Sequence, residues 1–365
     1  MTILDRYIFK KVLSTFFFVM LILIAIIVVI DLTEKVDKFA RNNLGAEAIT
    51  GYYLDYIPWV AGFISPIIVF IAIVYVTSRL AAHTEIIAIL SSGISFRRML
   101  VPYFLASAVL AAISFYLNGW VIPKSNRDRI DFELQYFKTR YYSDARNVHM
   151  QIQPNVYLFI QNYNNQTQVG YQFSLERFAD NRLVDKLEAD NIQWDSVKYK
   201  WTLHMWKRKK VDSLFQVQRA PIELLKTSGP SLDTALAIFP KDFENNDKMY
   251  DGMTIPELRE HIAKLKFRGS SGVETYETEM NIRFASPFTI FVLVFMGVIV
   301  SSRKSRGGTG FQIAMGFLLA FIFILFFMLA RTFAEAGSLA PVVAAWIPNV
   351  LFGSIALVMY RYVPR

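Results

Sequence analysis

VLSTFFFVMLILIAIIVVI, residues 12–30, is a run of 19 residues without a single charge, and an α-helix needs roughly 20 such residues to cross the hydrocarbon core of a bilayer. Five further uncharged apolar runs of at least this length follow: Ile57–Ser78, Met99–Ile122, Phe284–Ser302, Gly307–Ala330 and Ala336–Tyr360. Three of the six lie before a long polar stretch, residues 123–283, and three lie after it. An odd number of crossings on each side puts that stretch on one face of the membrane and both termini on the other. The layout is that of an integral membrane protein with one large extramembrane domain.

Composition agrees. Hydrophobic residues make up 54% of the 365, Phe alone contributes 31, and only 19% are charged. A net charge of +9 admits a nucleic-acid partner in principle, but no RNA- or DNA-binding motif accompanies it, and Lys/Arg at the cytoplasmic ends of helices explain it better. With no cysteine there is no disulfide framework, thiolate nucleophile or Cys-based metal site. Arg6, Lys10 and Lys11 before the first run resemble the start of a signal peptide. The run is too long for one, however, and no small-x-small cleavage site precedes Asp31–Glu34, so it reads as a retained helix.

Charge sets the orientation. With both termini in the cytoplasm, the inner side holds Arg6, Lys10, Lys11, Arg79, Arg97, Arg98, Arg303, Lys304, Arg306, Arg361 and Arg365, against Lys35, Lys38 and Arg41 in the short outer loops. The positive-inside rule then predicts an extracytoplasmic middle domain. Lys124, Arg127 and Arg129 run against the rule, but long translocated domains respond weakly to charge.

That domain alternates. Tyr171, Phe173 and Leu175 interleave with Gln172, Ser174 and Glu176, and Trp201, Leu203 and Met205 with Thr202, His204 and Trp206. Period two implies strands with one face on a core. Turn residues at Gln153–Asn155, Asn162–Thr167, Ala179–Asn181 and Asp195-Ser196 separate them, a spacing that suggests a sandwich, jelly roll or open barrel. Val156–Ile160 is the one run apolar on both faces, as a lipid groove would require. Farther on, Thr254, Pro256 and Glu257 predict a capped helix start with Ile255, Leu258, Ile262 and Leu265 as its apolar stripe and Gly269 as its end. A second helix is expected from Thr275 into the fourth span, with Glu279 and Arg283 paired four apart.

Two places could carry work. His83–Gly93, between the second and third spans, reads as a short helix with Thr84 as N-cap, Glu85 in its first turn and Gly93 as its stop. Ile86, Ile87, Ile89 and Leu90 are too apolar for it to stand free, so it packs on the membrane domain, the lipid interface or another protein. Arg331 lies one turn from the outer end of the fifth span, where a charge must be paired or reach the interface; snorkelling and an anion contact are both open. The same two readings hold for Lys35, Lys38 and Arg41, with Glu34 and Asp37 as local neutralising partners.

No catalytic constellation emerges. The histidines (His83, His149, His204, His261) are scattered, without zinc spacing, and there is no Walker phosphate loop. Gly307–Gly310 lacks a preceding strand and better suits close helix approach. No carboxylate falls inside any span, which argues against a proton- or sodium-coupled transporter, and no metal or cofactor is implied.

Taken together, Leu4-Asp5-Arg6-Tyr7-Ile8, Thr84-Glu85 through Ser91-Ser92-Gly93, Arg283, Ala345-Trp346-Ile347-Pro348-Asn349 and the 3 + β-domain + 3 order resemble the LptF/LptG (YjgP/YjgQ) permease family over essentially the whole chain, nearer its LptG type. The resemblance implies a non-enzymatic permease of an ABC exporter, in the bacterial inner membrane, that passes lipopolysaccharide to a periplasmic bridge. Its fold would be six transmembrane helices with an inserted periplasmic β-jelly-roll-like domain. The implied division is residues 1–122 (three spans and a coupling helix at about 84–93), 123–250 (β domain), 251–283 (helical connector containing Glu279 and Arg283) and 284–365 (three spans). The implied partners are a cytoplasmic ABC ATPase dimer of the LptB type, a second permease (LptF-like or another copy), a single-span LptC-like protein and the bridge protein. Thr84, Glu85, Ile86, Ile89, Leu90 and Gly93 would then form the ATPase-coupling segment. Phe317, Phe321, Phe326 and Leu329 would face acyl chains at a lateral gate of the first and fifth spans. Lys35, Lys38, Arg41 and Arg331 would face headgroup phosphates, although this chain carries Glu34 where LptG-type members carry Lys. Two rivals stand beside this: another ABC permease with a large external domain, and a membrane-anchored scaffold or lipid-binding protein without transport.

Overall fold

A computed structural model of the chain describes residues 2–137, 145–210, 227–243, 249–270, 272–302 and 308–361. Arg303, Lys304, Arg306, Gly307 and Arg365 of the charge and glycine readings lie outside the described residues. The order is α1 (Ile3–Arg41), α2 (Ala46–Ala82), α3 (Glu85–Ser91), α4 (Phe96–Tyr116), a π-helical turn (Leu117–Val121), α5 (Ile122–Tyr136), strands β1 (Ala145–Gln153), β2 (Val156–Asn164), β3 (Val169–Ala179), β4 (Arg182–Asp195), β5 (Lys200–Lys210) and β6 (Thr227–Thr234), then α6 (Ile255–Arg268), α7 (Val273–Ser301), α8 (Gly308–Glu335) and α9 (Pro341–Tyr360). Two compact units result. One comprises residues 1–137, 250–259 and 274–365; the other comprises 138–249 and 260–273.

Six helices of the first unit are long and apolar enough to cross a membrane, so the chain is a multi-pass membrane protein. At 39 residues, α1 is about 58 Å long, roughly twice the hydrocarbon thickness. The bundle is organised around α2, which packs against α1, α5 and α8 and shares a core with α4 and α7 through Ile68, Ile73, Met99, Tyr103 and Ile290. Close approach to α2 depends on two glycines. A Cβ on Gly297 would come 3.0 Å from Ile73, and one on Gly316 would come 3.0 Å from Val74, the small-residue contact by which helices associate in lipid. Asn349 of α9 accepts a hydrogen bond from the Thr289 hydroxyl (2.8 Å) and donates to the Ala285 carbonyl (3.2 Å), stitching α9 to α7.

In the second unit the strands form one antiparallel sheet in the order β1-β2-β3-β4-β5-β6. This corrects the jelly-roll expectation: among the described residues the sheet is a meander that neither closes nor divides in two. The reason is local. Tight turns at Pro154-Asn155 and Asp180-Asn181, with Asn155, Asp180 and Asn181 at positive φ, join neighbouring strands directly, whereas a jelly roll needs strands that cross between sheets. Met150, Leu158, Ile160, Tyr163, Phe173, Ile192, Trp201 and Leu203 build the core on one face. The simple alternation fails part-way along the strands. Tyr171 is 48% and Met205 58% exposed, and Trp206 packs on the core in Met205's place. In Val156–Ile160 the even residues are buried, Tyr157 is exposed and Phe159 is half-buried.

Helix α6 begins as expected. Glu257 accepts hydrogen bonds from the Thr254 backbone N–H (2.8 Å) and hydroxyl (2.9 Å), and these hold its carboxyl below the usual carboxylate range, the backbone N–H most of all. The helix ends at Gly269 with φ 62°.

Candidate functional site

The end of the bundle where α1 begins and α9 finishes is tied together by α1. Thr2 and Asp5 cap the helix reciprocally, and the Asp5 carboxylate, at the N3 position, also accepts from the two terminal guanidinium nitrogens of Arg98 on α4 at 2.6 and 2.7 Å. Two residues on, the Tyr7 hydroxyl donates to the Glu85 carboxylate (3.2 Å) and accepts from the Lys11 ammonium (2.6 Å). The first turn and a half of α1 thus grips both α4 and α3. The Leu-Asp-Arg-Tyr-Ile opening marks this segment in the sequence, but no local spacing ties Asp5 to Arg98 or Tyr7 to Glu85, because each pair joins different helices.

Helix α3 is rooted on the bundle by Ile86, which is buried, and by Ile89 and Leu90, which pack on the same core; Ile87 is 57% exposed. Thr84 does precede α3, but it does not cap it. The residue sits in the left-handed region (φ 61°), and its hydroxyl donates to the His83 carbonyl instead of accepting from the helix. Only His83 and Thr84 separate α2 from α3, so the chain turns too sharply for an extended cap. A β-branched residue is strained there. Thr84→Gly is therefore expected to stabilise the protein by about 1 kcal/mol, read as a rise in the thermal midpoint of the detergent-solubilised chain. Gly93 (φ 87°) ends the segment as anticipated.

At the opposite end, Lys35 is partnered by Asp31 (2.7 Å), one turn back, and donates to the Tyr52 hydroxyl; Glu34 plays no part in neutralising it. Tyr53 also donates to Asp31 (3.1 Å). Arg129 stacks 4.4 Å above Trp59 and pairs with Glu133. Lys38 and Arg41 are exposed and have no carboxylate partner among the described residues; the Lys38 ammonium lies 5.8 Å from the Phe137 ring. Arg129 stands out in the sequence only as a charge against the positive-inside rule, and the contacts of Tyr52 and Tyr53 on α2 with Lys35 and Asp31 on α1 join different helices, which no local spacing shows.

Glu279 and Arg283 meet as predicted, at 2.9 Å. Arg283 also donates to the carbonyls of Met253 and Tyr250. The structure adds Arg331 to this pair: it reaches Glu279 at 3.2 Å and Glu335 at 2.7 Å, with its guanidinium 5.5 Å from the Tyr250 ring. Two cations and two carboxylates balance. Phe317, Phe321, Phe326 and Leu329 of α8 are 42–56% exposed, and α1 and α8 are the least buried of the six spanning helices. Among the described residues no group of three or more His, Cys, Asp or Glu could hold a metal ion.

The family described as "Lipopolysaccharide export system permease LptF/LptG" matches residues 6–362. Two relatives, from Escherichia coli strain K12 and Escherichia coli O6:H1 strain CFT073, are each named "Lipopolysaccharide export system permease protein LptG". Each is 19% identical over 365 residues, covering 97% of this chain and 97% of its own length.

Proposed function

Since the chain belongs to the LptF/LptG family of lipopolysaccharide export system permeases, we propose that α3 seats a cytoplasmic ABC ATPase and that α1 carries the resulting movement to the lipid. One observation carries this reading. The Glu85 carboxylate on α3 is bound to Tyr7 in the foot of α1 while Ile87, beside it, faces away from the bundle. A helix anchored on one side and apolar on the other is suited to a protein groove. Thr84, Glu85, Ile86, Ile89, Leu90 and Gly93 form this segment, and the basic residues around it support a cytoplasmic location for it and for both termini. The sheet unit is then periplasmic.

ATP binding by the partner draws its subunits together, α3 moves with them, and the membrane cavity between this chain and a second permease narrows. Lipopolysaccharide leaves upward toward the periplasmic bridge protein, with the single-span LptC-like subunit completing the assembly. The poorly covered faces of α1 and α8 support acyl-chain contact at Phe317, Phe321, Phe326 and Leu329, because aromatic and aliphatic side chains left without protein partners cost nothing in lipid. Lys38 and Arg41, exposed and without a carboxylate partner among the described residues, are the better candidates for headgroup phosphates. Lys35 and Arg331 already share their charge with Asp31 and with Glu279 and Glu335, so they contact phosphate only as members of those clusters. Glu279 and Arg283 hold the connector to the fourth span.

A photoreactive residue at Phe321 is expected to capture lipopolysaccharide in reconstituted membranes, and capture is expected to fall when ATP is supplied. A chain that acts only as a membrane-anchored scaffold gives no ATP-dependent change.

A further inference from the structure

The sheet carries a polar crease that the transport reading does not use. Along each of four strands, residues facing the core recur every second position and then, once, at the third. The steps run from Ile160 to Tyr163 on β2, from Phe173 back to Gly170 on β3, from Ala189 to Ile192 on β4, and from Leu203 to Trp206 on β5. The register of the ladders does not change across these steps, so each is a kink shared by neighbouring strands, and it places two consecutive side chains on the opposite face. The kinks line up across the sheet: Asn162 pairs with Tyr171, Tyr171 with Asn191, and Asn191 with His204. Asn147, Gln172 and Met205 sit in the left-handed region along the same line. The outcome is a doubly populated row containing Gln161-Asn162, Tyr171-Gln172 and Asp190-Asn191, and a cavity of about 650 Å³ opens on it, flanked by Arg146 and Asn147.

The lining selects the ligand class. Apart from Tyr171 it offers no apolar surface for an acyl chain. One arginine is set against one aspartate, so it has no net charge for a phosphate. What remains is a set of primary amides, each both a donor and an acceptor, arrayed around an exposed Tyr171 ring. The Asn162 Oδ1 atom is buried and has no hydrogen-bond donor among the described residues, a condition that native structures rarely leave without a purpose. Amides that both give and take hydrogen bonds match vicinal hydroxyls, and an exposed aromatic face suits the C–H face of a pyranose ring. The volume is that of a small-molecule site.

We propose that this crease is a saccharide-binding site. The site stands on the geometry of the sheet alone; that the sugar reaching it belongs to the exported lipid rests on the permease reading. Full-length protein in nanodiscs is titrated with lipid-free core oligosaccharide by saturation-transfer NMR, and a photoreactive residue at Gln161 is tested against intact lipopolysaccharide. Saturation transfer together with capture is expected, and establishes a saccharide site served by the lipid. Saturation transfer without capture establishes the site with a soluble glycan as its source. Gln161→Ala combined with Tyr171→Ala, both exposed, is expected to weaken oligosaccharide binding about tenfold while lipopolysaccharide capture from Phe321 persists. Absence of saturation transfer, or an unchanged Kd in the double variant, overturns the proposal. Loss of capture at Phe321 in the unsubstituted sheet would instead strike at the transport reading.

Discussion

Glu85→Lys is expected to abolish co-purification of the ATPase with this permease and to stop lipopolysaccharide release, with the chain itself still folded. The carboxylate accepts from Tyr7, whose hydroxyl is held by Lys11, so a lysine at position 85 brings a second ammonium to a hydroxyl already occupied by one. It also reverses the charge at the first turn of α3, where an acidic residue favours the helix dipole. Losing one member of a hydrogen-bonded charged contact at an interface costs about 2–5 kcal/mol, on the order of a hundredfold in affinity. Ile86 keeps its buried seat, so the melting temperature should move little. Glu85→Gln retains an acceptor for Tyr7 and is expected to keep part of the association. An ATPase complex that survives Glu85→Lys at full occupancy would remove α3 as the coupling element.

Arg283→Met is expected to be the most destabilising single substitution at the junction of α6 and α7. Arg283 is 5% exposed and joins the Glu279 carboxylate to the carbonyls of Met253 and Tyr250. Its removal leaves a buried carboxylate and two half-buried carbonyls short of donors, a change that costs about 3–5 kcal/mol. Arg331 cannot compensate fully, because it is shared with Glu335. Pairing the change with Glu279→Leu removes the stranded charge as well, and the double variant is expected to recover a large part of the loss. Thermal unfolding of the four proteins in one detergent gives the cycle. A single variant within about 1 kcal/mol of the parent would mean that the carbonyls and Glu279 find other partners.

What could be read from the residues depended on the range of the interaction. The uncharged runs, the Thr254–Glu257 helix start and the Glu279–Arg283 pair are one-dimensional patterns, and the structure has each of them. The jelly roll was not legible. Turn residues such as Asn155 and Asp180-Asn181 say that two strands are neighbours, but nothing in them says whether a sheet turns back on itself. Alternation through Tyr171–Leu175 and Trp201–Met205 identifies strands, yet a backbone kink such as the left-handed Met205 shifts the pattern without changing its composition, so Trp206 occupies the face that strict alternation gives to Met205. Thr84 has the right residue type for a cap, but a two-residue turn imposed a backbone that cannot use it. The partners of Arg331, Lys35 and Asp5 lie on other elements or a turn away, and no spacing rule couples Asp5 to a residue 93 positions later.

The two grips at the foot of α1 have a mechanical consequence. Asp5 and Tyr7 lie within the first turn and a half of a 39-residue helix that is the least buried of the six spans. Its other end is held too: Lys35 donates to Tyr52, and Asp31 accepts from Tyr53, both on α2. A stiff rod pinned at both ends and little covered between them does not swing; it passes a push along its axis. If α3 moves with a partner as proposed, the displacement delivered at Tyr7 would therefore arrive at the charged end with Lys35, Lys38 and Arg41 neither amplified nor lost.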